Sequence, residues 1–183
     1  MAGGNKRIKE GEFREWYFPI AEVLNWVRKF LGDIGYELLP PKPFGSVLPD
    51  FHARRKEGET FYEIVGIGAQ HVDTAVEVLP KLIAIKSFLG DKADYVLVLP
   101  PINEYLLLEF FRQDEGKRYF VINEQRFAVW LANPDEESVW SFVGGSHDKL
   151  LSSFVGSVGR LAGGVPLNFL FTNEIARRWE EEE

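Results

Sequence analysis

The chain has 183 residues, 45% hydrophobic and 14% aromatic, enough for one sizeable core and short for two independent ones, so a single domain is expected. Zero cysteines exclude disulfides, thiolate chemistry and cysteine-ligated zinc or iron-sulfur sites, and the scattered His52, His71 and His147 lack metal-ligand spacing. The net charge of −7 argues against an extended basic surface for displacing DNA counterions, although the acidic run Glu180 to Glu183 and the cluster Lys6, Arg7 and Lys9 predict a folded body nearer neutrality.

Met1 to Glu12 is polar, without a secretory signal, and no run approaches the roughly 18 uncharged apolar residues of a membrane span, so a soluble, cytoplasmic protein is expected. From Glu12 to Leu31, apolar residues at Phe13, Trp16, Tyr17, Ile20, Val23, Leu24, Val27, Phe30 and Leu31 follow amphipathic helical spacing, with Pro19 dividing or kinking the helix. Gly32 and Gly35 end it, Tyr36 to Leu39 reads as a short strand, and a Pro-rich loop leads to Pro49. Phe51 to Arg55 and Thr60 to Val65 form a hairpin turned by Lys56-Glu57-Gly58-Glu59. His71 to Leu89 is a second helix, with Val72, Ala75, Val76, Leu79, Leu82, Ile83 and Leu89 on its stripe and a kink at Pro80. The apolar run Asp94 to Leu99 suits a central strand that a crossover helix sets parallel to the hairpin.

Asn103 is placed to cap a third helix, Tyr105 to Arg112. Arg118 to Ile122 and Arg126 to Leu131 read as further strands, and Asn133-Pro134-Asp135 as a turn before the strand Val139 to Val143. Beyond lies a Gly-rich helical pattern from Leu150 to Leu161, then a short helix, Asn173 to Glu180, and the acidic tail. Gly144 to Gly164 lacks the Gly-x-x-x-x-Gly-Lys spacing of a phosphate loop.

A turn symmetric about Glu57-Gly58 pairs Arg55 with Thr60, His52 with Glu63 and Asp50 with Val65. Alternation then puts Asp50, His52, Arg54, Phe61, Glu63 and Val65 on one face, and Phe51, Ala53, Arg55, Tyr62 and Ile64 on the other, mostly apolar face. Two carboxylates so close on the polar face repel unless a cation intervenes, which suits an oxygen-ligated magnesium or manganese ion able to acidify a bound water. A surface ion pair of Glu63 with Arg54 or His52 is the simpler reading of the same residues.

Pro49-Asp50, followed by Glu63-Ile64-Val65 within the order helix, strand, strand, strand, helix, strand over residues 12 to 100, resembles the PD-(D/E)xK nuclease superfamily, the restriction-endonuclease-like fold. The resemblance implies an α/β fold with an αβββαβ core and a mixed central sheet flanked by helices. To it residues 101–143 would add sheet with a C-terminal β-hairpin, and residues 144–183 a helical extension. It implies a metal-dependent phosphodiesterase acting on DNA or RNA, with Asp50 and Glu63 as metal ligands and Glu22 as a further acid. Val65 stands where the family has a Lys. Gln70, Lys86 and Arg54 are the candidates to replace that Lys, with Lys81 weaker because it points toward solvent. The alternative is an inactive nuclease-like scaffold that binds nucleic acid or a protein partner. Exposed apolar surface near the C-terminus would favour a homodimer.

Overall fold

A computed structural model describes residues 18–102 and 104–157. Its elements run α1 (Ile20–Asp33), β1 (Glu37–Leu38), β2 (Phe51–Glu57), β3 (Thr60–Gly68), α2 (Val72–Leu89) and β4 (Asp94–Leu99), which is the expected αβββαβ order. Then follow α3 (Glu104–Arg112), α4 (Lys117–Gln125), β5 (Ala128–Asn133), β6 (Ser138–Val143), α5 (Lys149–Phe154) and β7 (Gly156–Ser157). The seven strands form one sheet in sequence order. Pairing is antiparallel for β1 with β2, β2 with β3, and β5 with β6, and parallel for β3 with β4, β4 with β5, and β6 with β7. The sheet is mixed, as expected, and β5 with β6 is the C-terminal hairpin.

Both faces of the sheet are covered, which is why β4 and β5 are buried along their whole length and apolar from Tyr95 to Leu99 and from Ala128 to Ala132. One face packs Val65, Ile67, Leu97, Val129 and Leu131 against apolar residues of α2, α3 and α4. The other packs Phe51, Ala53, Ile64, Val96, Ala128 and Trp130 against Val23, Leu24, Val27, Phe30 and Leu31 of α1 and Leu151 of α5. No helix among the described residues is long and apolar enough to cross a membrane.

Several boundaries differ from the sequence reading for physical reasons. Pro19 is the N-cap of α1, where its missing N–H costs nothing. The part of that predicted helix before residue 18, the cap at Asn103 and everything predicted after residue 157, including the helix Asn173 to Glu180, lie outside the described residues. In α2 the buried line is Val72, Ala75, Val78, Leu79, Leu82 and Ile85, so the true stripe carries Val78 and Ile85, and Ile83 is 38% exposed. Pro80 lies inside this helix, its side exposed to solvent. The predicted strand Arg118 to Ile122 is the helix α4. Its aromatic and β-branched run favours a strand by propensity, but Ile122 is buried and Tyr119 meets Phe111 with ring centroids 6.0 Å apart, while Phe120 is exposed. That i, i+3 packing overrides propensity. Gly116 and Arg126, both left-handed, bound it.

The hairpin register is Glu57 with Thr60, Arg54 with Glu63, His52 with Val65 and Phe51 with Gly66. Only Gly58 and Glu59 form the loop, and Gly58 takes φ 62° at the position where a two-residue hairpin favours glycine. The strands are therefore slid by two residues from the predicted pairing. An even slide keeps each side chain on its face and changes all of its neighbours. Phe51 lies across Gly66, where a Cβ would come within 2.1 Å of the ring; the strand glycine makes room for that ring.

Candidate functional site

The slide matters most for the two acids. Asp50 lies just before β2 beside the end of β3: its N–H donates to the Gly66 carbonyl at 2.9 Å, and its Oδ2 accepts from Gly68 N–H at 2.7 Å. Glu63 sits opposite Arg54. Continuing the register puts Asp50 beside Ile67, four residues from Glu63, which at about 3.3 Å per residue separates the acids by roughly 13 Å along the strands. Glu63 contacts His52 Nε2. The β3 residues flanking the Asp50 level are Val65, wholly buried, and Ile67, 5% exposed, both in the core beneath α2.

The remaining candidates are held in separate places. Gln70 is fixed at both ends of its amide: Oε1 accepts from Ile20 N–H and Nε2 donates to the Phe18 carbonyl, each at 2.7 Å. It thus supplies a partner to an orphan donor at the start of α1. Glu22 lies in the first turn of that helix, two residues past Ile20, which packs on Gly68. Lys86 is at the other end of α2, where Nζ donates to the Gln125 carbonyl at 2.7 Å, lies 3.5 Å from Asp91 and stands over the Phe127 ring. Arg54 is exposed, has Glu37 and Glu63 as its cross-strand partners, and stacks its guanidinium 5.2 Å from the Phe61 ring centre. Asp50 and Gln70 lie where the end of β3 meets the start of α1, with Arg54 and Glu63 further along the hairpin and Lys86 remote.

These residues do not fit a shared divalent ion. Asp50 and Glu63 direct their oxygens to Gly68 and His52, and among the described residues no group of three or more His, Asp or Glu is placed to hold a metal ion.

The densest polar grouping is one the sequence reading did not pick out. Asp148 is fully buried. It accepts from Arg55 Nε at 2.8 Å and Arg55 Nη2 at 2.6 Å, from Tyr36 Oη at 2.7 Å and from Leu150 N–H at 3.0 Å. Burial by itself raises a carboxyl pKa, but these donors outweigh it and hold Asp148 below the usual carboxylate value. Burial and the same carboxylate push the Tyr36 hydroxyl up, and the bond to Asp148 raises the Arg55 guanidinium further. Asp148 also caps α5. A signal was available: Arg55 is the one charge on the apolar face of the predicted hairpin, and a buried guanidinium requires a partner.

Beside it, Asp94, at the start of β4 and 7% exposed, accepts from Ser146 Oγ, from His147 N–H at 3.1 Å and from His147 Nδ1 at 2.7 Å. Serine and histidine both meet the carboxylate instead of each other, so this is not a serine-histidine relay. The loop that carries them crosses close to the sheet: Gly144 has φ 75°, and a Cβ there would fall 2.4 Å from the Phe127 carbonyl oxygen.

The sequence matches no protein-family model and no curated protein. Among solved structures, the chain is similar to an FdxN element excision controlling factor protein from Anabaena variabilis, with 14% identity and TM-score 0.40 over 65% of this chain and 95% of that one. It is similar to a repair endonuclease from Pyrococcus abyssi, with 15% identity and TM-score 0.37 over 55% of this chain and 46% of that one. It is also similar to EndoMS in complex with double-stranded DNA, with 13% identity and TM-score 0.40 over 70% of this chain and 50% of that one. The chain spans about half the length of the last two. The fold assignment rests on the element order and strand pairing described above.

Proposed function

We propose that this chain is a nuclease-like scaffold without metal-dependent phosphodiesterase activity, acting as a binding module for a protein partner. The observation that carries this reading is the hairpin register. It sets Val65 and Ile67, both buried and apolar, on the strand beside Asp50, and leaves Glu63 with His52. A catalytic ion needs several oxygen ligands converging on one point, and a water to be activated needs a polar group within hydrogen-bond reach. Gln70 and Lys86, two of the possible replacements for the missing Lys, already serve backbone partners.

Charge supports a protein partner over bare nucleic acid. Residues 18–157 carry fourteen Lys and Arg against twenty Asp and Glu, a net −6 against −7 for the whole chain, so they are nearer neutrality by a single charge and remain acidic. Arg55, Lys86 and Lys29 have carboxylate partners, and Arg54 has acids on both neighbouring strands. Affinity for a phosphate backbone comes from cations available to replace counterions.

The test is incubation of plasmid and single-stranded DNA with magnesium or manganese, together with fluorescence anisotropy of labelled DNA and RNA. The expected results are no metal-dependent cleavage and no binding tighter than about 10⁻⁴ M at physiological salt, the weak end of non-specific binding. Cleavage that disappears in Asp50→Ala or Glu63→Ala would overturn the inactive scaffold. Tight binding would replace the protein partner with nucleic acid.

A further inference from the structure

We infer that the cleft between the sheet and α5 is a binding site for a small organic amine with a compact apolar body. The cleft holds about 220 Å³, and about 150 Å³ of apolar cavity is enough to admit benzene. Its floor is Ile64, Val96, Ala128 and Trp130, drawn from three adjacent strands, and Leu151 on α5 closes one side. These walls are apolar and buried, which is the lining of a small-molecule site.

The polar end carries the choice of ligand. Asp94 lines the cleft, and among the described residues its ion-pair partner is a histidine, His147. A carboxylate offers about four lone-pair positions. The Ser146 hydroxyl, the His147 N–H and the His147 ring fill three of them. One acceptor position remains on this buried anion, and among the described residues no lysine or arginine bonds to it. An ammonium group supplies both the donor and the charge, and such charge-assisted bonds are the stronger kind. A neutral ligand of the same shape supplies neither the charge nor that strength, and an anion is repelled. Trp130 adds an aromatic surface for a ring or a methylene chain.

The probe is benzylamine, titrated into the full chain and followed by amide chemical shifts, with benzyl alcohol as the neutral analogue. Saturable shifts at Asp94, Gly145, Ser146 and Ile64 are expected with benzylamine. Affinity is expected to fall about tenfold or more, the loss of one charge-assisted bond, for benzyl alcohol and in Asp94→Asn. Ser152→Phe places a bulky group at the exposed mouth of the cleft, where it cannot disturb the core, and is expected to abolish saturable binding in a folded protein. The proposal fails if benzylamine gives no saturable shifts, if benzyl alcohol binds equally well, or if Ser152→Phe binds unchanged. The last outcome decides the matter even if Asp94→Asn does not fold.

Discussion

Asp148 shows how one buried carboxylate can set the pH response of the molecule. Its folded-state pKa lies below the unfolded value of about 3.9. The stability it contributes is therefore fully present above that value and is lost as pH falls through the lower, folded-state pKa. Replacing Arg55 with Leu leaves a buried anion without its cation, and breaking such a pair costs about 3–5 kcal/mol. Urea unfolding of Arg55→Leu at neutral pH is expected to show a loss of that order. Asp148→Asn is expected to be destabilised at pH 7 and to lose less stability than the parent between pH 4 and pH 2, because the titrating group is gone. An equally steep acid limb in both proteins would remove Asp148 from this role.

At the scale of elements, the hairpin and α1 show what could be read in advance. Periodicity located β2, β3, α2 and β4 well because each buries a regular stripe or a whole run of apolar residues. It assigned the hairpin faces correctly and the cross-strand partners wrongly, since alternation repeats every two residues and cannot register an even slide. The turn length decided the partners, and Lys56 and Glu57 extend β2 where a longer loop was expected. Gln70 was singled out as a candidate to replace the family's Lys, and its amide is held at the start of α1. Its work is to fasten the beginning of α1, which no local pattern reveals because its partners are 50 and 52 residues away. Gln70→Met keeps the length and removes both bonds, leaving the Ile20 N–H without its side-chain acceptor at a cost of about 1–3 kcal/mol. Hydrogen exchange is expected to quicken at Ile20 and the first turn of α1 while protection in β4 is unchanged; uniform loss across the protein would mean that Gln70 serves the whole core instead.

Across the whole molecule, a central sheet with helices on both faces was legible because Tyr95 to Leu99 is one continuous apolar run. What was not legible is how the ends of the sheet are joined. Asp148 meets Arg55 across 93 residues of sequence and Tyr36 across 112, and nothing in the composition of either segment announces the pairing. The join has a consequence for the order of events as the chain is synthesised. Arg55 and Tyr36 leave the ribosome long before their carboxylate does, so the αβββαβ segment is complete while the Arg55 guanidinium still lacks its buried partner. Chain closure over that distance is slow, and the first hundred residues are expected not to fold cooperatively by themselves. A fragment of residues 1–143 is expected to lack cooperative unfolding, while one of residues 1–157 regains it. The sequence boundary expected to matter for assembly is thus the loop at 146–148, well past β4.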